Sequence, residues 1–490
     1  MTLTSIPSNR RTGLFQAEFS ERQAAALSPL VQPALILAQM LPSGGTATAG
    51  TKYLVATEDQ AIALFGQGSI AHHMCEAFLR NAPGHELWCV AYGDAGGATA
   101  ASRTLTVGTS SSATEAGTIK LYIAGRLVEV AVAVGDEEIA IAAAIAAAVE
   151  ADEDLPVTAA VGGGGSEHIV TFTAKCKGTV GNQITLALNA LGADAGEETP
   201  AGVTLTLAGA LLTSGATNTT PATWVTAIGD IGYDVFVGQE ADASLVTALK
   251  TELIDRWAYD RAKDGHLIVA KMDSTTDLLT FADDYLSDYV TVVGYPENVG
   301  MLTPAYEVAA AYAGRAAAAL AADPGAPIQG LALRGLWAKW TPFTDTEQNT
   351  LGRGGVASIT TDRADVVIEY EAVTSATSAK ARDIQIPFLN SRFRRRMRNR
   401  VLTEYPRFKL ADDTQPISGG QQIVTPSIVK ATVLGEYGAM VAEGFMQNAA
   451  AFASSLVVER NADYDDRLDV YCEPDLIDQL RVVAMRIGGQ

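Results

Sequence analysis

Apolar residues fall along the chain in three textures, and each predicts a different kind of unit. Near the start, ALILAQM (34–40), KYLVAT (52–57) and LWCVAY (87–92) are short apolar runs of the kind a strand shows when both its faces are covered. Thr57 followed by Glu58 and Asp59 predicts a capped helix that reaches Phe65, where Gly66 and Gly68 stop it. Ser69 then caps a second helix running to about Asn81. Residues 1–30 carry neither period over a useful length and are expected to form an extended arm.

From 101 to 214 the texture turns to threonine, glycine and alternation. Ile119, Leu121 and Ile123 share one face, and beyond a turn expected at Gly125–Arg126 so do Val128, Val130, Val132 and Val134, which predicts a hairpin. An alanine helix (139–149) follows, then a glycine turn (162–165) and the alternating strands HIVTFTAKC, QITLALN and GVTLTLAG. Regular strand–helix alternation returns with strands at 232–238, 266–272 and 288–295 and helices at 241–259, 275–286 and 304–322. Units of that kind favour a sheet with helices on both faces. The fold expected is therefore multidomain α/β: a core interrupted by a β-rich insert.

The last third holds an Arg-dense helix (388–402), a helix over 426–447, strands SSLVVER and RLDVYC, and a final LIDQLRVVAMRI. In that ending Leu480, Val482 and Ala484 alternate with Val483 and Met485, so both faces are apolar and a strand buried on both sides is expected. Twelve such residues could reach roughly 40 Å and join a neighbour's sheet edge by main-chain hydrogen bonds. The boundaries that result are 1–30 (arm), 31–100 (core), 101–214 (insert), 215–475 (core) and 476–490 (arm).

Composition narrows the classes of function. The 490 residues suit about three domains. With 35 Lys plus Arg against 56 Asp plus Glu, the net charge of −21 argues against nucleic-acid binding and anionic membranes. Cys75, Cys89, Cys176 and Cys472 are scattered, which fits reduced thiols rather than a disulfide framework. No uninterrupted apolar stretch is long enough for a membrane span, so direct membrane insertion is not expected.

Candidate chemistry is sparse. GQGSIA (66–71) resembles the start of a dinucleotide loop, but it follows a helix where that loop follows a strand, and Ala71 stands where the third glycine belongs. A soluble enzyme with a nucleotide site at Gly66–Gly68 is nonetheless the alternative reading, with a non-contractile binding protein as a third. His72, Cys75, His85 and Cys89 have tetrahedral-zinc composition, yet Cys75 and Cys89 fall on apolar faces and read as core. No catalytic residue, metal ligand or cofactor is assigned. Against the acidic background, Arg392, Arg394, Arg395, Arg396, Arg398 and Arg400 crowd nine positions; an acidic neighbouring subunit is the favoured partner, a solvated face the alternative.

Four stretches carry a family resemblance: ADPGAPIQGLALRGL (322–336), EQNTLGRGGVASI (347–359), YPRFKLADD (405–413) and FASSLVVERNADYDDRLDVYCEPDLIDQL (452–480). With LFGQGSIAHHMCEAFLRNAP near the start, they resemble the tail sheath protein of Mu-type contractile phages over about 31–95 and 215–490; Gly352–Gly355 is more glycine-rich than that family's pattern.

The resemblance implies a structural subunit of the virion tail, assembled in the host cytoplasm. It would form a homo-oligomeric sheath around a tail tube protein, meet baseplate and tail terminator proteins, and contract to drive the tube through the host envelope. It also implies terminal arms that add strands to a neighbour's C-terminal sheet. The residues so implicated are Leu480, Val482, Val483, Met485 and Ile487 in the C-arm and Leu14, Phe15 and Phe19 in the N-arm. Leu456, Val458, Leu468 and Val470 would belong to the receiving sheet.

Overall fold

The computed structural model describes residues 30–110, 112–297, 300–375, 383–416 and 421–487. The arm residues Leu14, Phe15 and Phe19 lie outside the described residues. A nine-stranded sheet organises the body, in the order Ala332–Leu333, Asp365–Tyr370, Ala357–Asp362, Val290–Tyr295, His266–Met272, Val235–Gly238, Ala34–Gln39, Leu87–Tyr92, Lys52–Leu54. Pairing is parallel from Ala357–Asp362 through to Leu87–Tyr92 and antiparallel at both edges.

The central strands are apolar at successive positions because each face meets a separate core. Ala34, Ile36 and Ala38 join one cluster and Leu35 and Leu37 the other; Ile268 and Ala270 against Leu267 and Val269 repeat the division. Helices Ile70–Asn81 and Ala305–Ala322 cover the first face, and Pro221–Ile228 and Ala243–Trp257 the second. The alanines of Ala305–Ala322 let this helix come close to its neighbour. A Cβ on Gly314 would sit 2.5 Å from the Phe78 carbonyl oxygen, so glycine sets the approach there.

Residues 101–212 build a core of their own. It combines the antiparallel sheet Leu205–Leu207, Ser102–Val107, Ile169–Ala174, Val157–Val161, the three strands Arg126–Val132, Gly117–Ile123, Leu186–Leu188, and helix Glu138–Ala151. The hairpin turn is Ala124–Gly125, both at positive φ, one residue earlier than expected. Arg126 is consequently a strand residue paired with Ile123, and Val134 lies past the strand, exposed.

Helices Gln385–Glu404, Pro426–Ala442 and Ala449–Ser455 pack with the hairpin Val457–Arg460/Leu468–Tyr471 around Tyr437, Met440 and Phe452. Two expected boundaries are corrected here. The helix from Pro426 stops at Ala442, with Gly444 at positive φ just beyond, and the expected strand over 454–460 begins as a helix that ends at Ser455. Leu456 accordingly caps a helix and is buried in the core, where a strand position had been expected. Helix Asp345–Arg353 and the hairpin Ala357–Asp362/Asp365–Tyr370 were not anticipated from periodicity.

Candidate functional site

The glycine turn at 66–68 is a helix-to-helix junction. Gly66 is the C-cap of Glu58–Phe65, and the Ser69 side chain accepts from His72 N at the start of the next helix. The space beside Gly68 is filled: a Cβ there would lie 2.5 Å from Leu155 O and 2.8 Å from Glu153 O. A phosphate has no cradle at this turn, because the insert's own carbonyls occupy it.

The four residues of zinc-like composition do not gather. Cys75 and Cys89 lie in the core, whereas His72 faces Glu58 and Asp154. Among the described residues, the groups close enough to share an ion are His72–His73–Asp154 and Glu58–His72–Glu76. Both histidines already have backbone partners: Gly68 N donates to His72 Nδ1 at 3.2 Å, and His73 Nε2 meets Asp154 O at 2.8 Å. Arg126 occupies the centre of this cluster, bonded to Glu307 at 2.8 Å and close to Glu76 and Asp154. Burial works against its charge, yet Glu307 and Asp154 hold its pKa above the ordinary value. Burial pushes the Glu307 carboxyl up, with Arg126 opposing, and pushes both histidines down. The arrangement is an ion-paired seam joining insert to core.

A cavity of about 360 Å³ opens at the carboxyl ends of the parallel strands, where a doubly wound sheet commonly holds ligands. Thr179, Gln183, Glu240, Asp242, Lys271 and Tyr295 line it. Burial raises the Glu240 carboxyl to about 7, with the Thr179 hydroxyl opposing as a donor at 2.5 Å. Asp242 caps the helix that starts here, accepting from Ser244 N and Leu245 N, so a carboxylate of the chain itself fills the position an anion would take.

The arginine helix faces inward. Arg394 pairs with Asp264, Arg395 with Asp234 at 2.7 Å, and Arg396 with Glu436 at 2.6 Å and with Glu443. Arg392 bonds Ala321 O at 3.0 Å, and Arg398 is buried. In the structure, the acids that answer Arg394, Arg395 and Arg396 belong to the same chain. Helix Gln385–Glu404 runs between the sheet body and helix Pro426–Ala442, and ionic pairing fastens it to both.

The C-terminal hairpin has two strands, and each has one edge that pairs with no other strand among the described residues. Val458 pairs with Val470, and with Leu468 they pack toward the core around Tyr437. Behind them lies an apolar cavity of about 420 Å³, lined among others by Phe393, Met397, Val433, Leu468 and Val470. Beyond the hairpin the chain turns back across the subunit. Leu476 bridges to Met446, and Leu480, Val482, Val483, Met485 and Ile487 then stand 73–84% exposed, without a strand partner among the described residues. Five large apolar side chains left in water over eight residues imply a surface that buries them.

Two family models match adjacent parts of the chain. The central domain of the phage tail sheath protein matches residues 214–375, and the phage tail sheath C-terminal domain matches 377–488. Together they take in more than half of the sequence. The chain belongs to the phage tail sheath family.

The tail sheath protein of a Mu-like prophage of Haemophilus influenzae is 29% identical over 498 positions, covering 99% of each chain. A sheath tail protein from Desulfitobacterium hafniense, known from its crystal structure, superposes with a TM-score of 0.50 over 93% of this sheath chain and 96% of its own. At 12% identity that likeness speaks for the fold, and it agrees with the mixed α/β architecture. Within the sheath chain, sequence reasoning missed two sets of residues. Thr344 and Glu347 form a capping box, a signature that could have located helix Asp345–Arg353. Arg126 and Arg481 each reach partners more than a hundred residues away, and no local pattern signals that.

Proposed function

We propose that this sheath chain polymerises as a homo-oligomer around a tail tube and contracts to drive the tube through a host envelope, with baseplate and terminator proteins at the two ends. Membership of the sheath family supports the structural role. The observation that carries the assembly mode is the exposed apolar run from Leu480 to Ile487 beside a hairpin with open edges. An extended segment gains main-chain hydrogen bonds by joining such an edge, and a head-to-tail contact that does not close on itself generates a helix. In this proposal Leu480, Val482, Val483, Met485 and Ile487 leave one subunit, and Val458, Leu468 and Val470 belong to the hairpin that receives them. Leu14, Phe15 and Phe19 would serve as a second arm, and assembly would take place in the host cytoplasm.

The subunit divides, on this reading, into arms at 1–30 and 476–490, core segments at 31–100 and 215–475, and an insert at 101–214 whose separate core leaves it free to vary. We assign no catalysis. The energy of contraction would be stored in a metastable extended lattice and released as subunits bury more surface, without nucleotide. Negative-stain microscopy of the purified protein tests the proposal: hollow tubes are expected, and removal of residues 482–490, which spares Arg481, should leave soluble, folded subunits that no longer polymerise. Normal tubes from the shortened chain would eliminate the C-arm role, and contraction that required ATP would eliminate the stored-energy mechanism.

A further inference from the structure

Glu371 is fully buried just past strand Asp365–Tyr370, the second strand in from the sheet edge. Its Oε1 accepts from Ile328 N at 3.1 Å and from Gln385 Nε2 at 2.9 Å. Among the described residues, the cation paired with it is Arg481, which comes from the C-terminal arm. Arg481 also meets Asp383 at 3.0 Å and Gln385 Oε1 at 3.2 Å, and its guanidinium lies 5.4 Å from the centre of the Tyr370 ring. The residues leading to it are tied down as well. Ile477 N donates to Phe445 O at 3.2 Å, and Gln479 Nε2 donates to Gly325 O at 3.2 Å. Past Arg481 the fastening stops, and Val482, Val483, Met485 and Ile487 are all more than 70% exposed.

We propose that Glu371, Asp383 and Gln385 form an arginine socket that anchors the C-terminal arm to its own subunit, so that the arm pivots at Arg481. Removing the arginine would leave a buried carboxylate without a counter-charge, which makes release costly. A planar guanidinium suits the socket because it presents paired donors to two carboxylates and an amide oxygen while stacking on a ring; a lysine offers one charged point. The socket joins the sheet body, through Glu371, to the start of helix Gln385–Glu404, through Asp383 and Gln385. The arm is therefore held to its own subunit up to Arg481, and the free reach to a second copy is set from there. To Ile487 that is about 20 Å, half the span available if the arm swung from Leu476. This inference rests on the assembly reading for its consequence, but its geometry is a property of the single subunit.

Spin labels at Val482→Cys and Met485→Cys in the full-length, unassembled protein test it. In the wild-type background the label at 482 should be held and the label at 485 mobile. Arg481→Ala should shorten the correlation time at 482 about threefold or more, to the value at 485, with Arg481→Lys intermediate. Glu371→Gln keeps the side-chain volume and removes no atom of the arm, and it should loosen 482 in the same way, which guards against a variant that fails to fold. Equal mobility at 482 and 485 in the wild type, or no change at 482 in Arg481→Ala and Glu371→Gln, would overturn the proposal. If the socket behaves as expected yet the wild-type protein forms no polymer, the anchor stands and the assembly reading fails.

Discussion

His266 shows how a single side chain can couple stability to pH. It is enclosed between strands, with Nε2 at 2.8 Å from Thr291 Oγ1, and burial lowers its pKa from 6.5 to about 3. Below pH 6.5 the unfolded chain takes up a proton here that the folded chain refuses, so stability is lost as pH falls from 6.5 toward about 3. The slope approaches about 1.4 kcal/mol per pH unit. Glu240 works in the opposite sense: with its carboxyl raised to about 7 it stays protonated in the fold while the unfolded chain ionises, so acidification below pH 7 favours the folded form at that site until the unfolded carboxyl also protonates. His72, His73 and His85 are lowered like His266, and Glu58, Glu307, Glu369 and Asp383 are raised like Glu240, so the two groups pull the pH dependence in opposite directions. His266→Gln removes one source of loss, so its stability should fall less, or rise more, than wild type between pH 6.5 and about 3. Urea denaturation of both proteins at a series of pH values between about 7 and 3 reads the difference directly; parallel curves would remove His266 as a contributor.

At the scale of elements, what was legible in the sequence followed from burial on two faces or one. The strand His266–Met272 could be read to the residue because each of its faces meets a different core, which keeps Leu267 to Ala270 apolar without interruption. The hairpin in the insert was legible because one face is solvated, so the period of two is visible. Three things were not legible. The turn slipped by one residue because Ala124, not only glycine, takes positive φ. Ser454 and Ser455, the last residues of helix Ala449–Ser455, looked like the head of a strand because seven helical residues carry too little period to tell. The socket at Glu371 was invisible because its arginine is 110 positions away. The terminal segment, expected as a strand covered on both faces, is exposed and pairs with no strand among the described residues, and that gives an element-scale prediction. Val483 is exposed, so Val483→Pro should leave the midpoint of subunit unfolding within about 0.5 kcal/mol of wild type. In a strand added to a neighbour's hairpin the same proline removes a donor and should abolish or severely reduce polymer recovered by sedimentation. Undiminished polymer from this variant would mean that the arm does not bind by strand addition.

At the scale of the whole molecule, the charge of −21 bears on how copies come together. A cluster of arginines on helix Gln385–Glu404 looked able to offset repulsion between subunits. Instead Arg394, Arg395 and Arg396 are answered by Asp264, Asp234 and Glu436 within the chain, and Arg126 is answered by Glu307. These cations stabilise the joints between the body, the insert and the C-terminal helices. These arginines are engaged within the subunit, and the net charge of −21 on each copy sets a like-charge repulsion between copies as they approach. Assembly driven by burial of apolar arms must then proceed against like-charge repulsion that salt can screen. Raising sodium chloride from about 20 to about 300 mM shortens the Debye length from about 20 Å to about 6 Å. The polymerisation rate followed by light scattering should rise several-fold over that range, while unfolding of the isolated subunit changes little because its ion pairs are partly buried. A rate that fell with salt would mean that opposite charges attract across the interface, and cationic surfaces beyond the arginine helix would have to supply them.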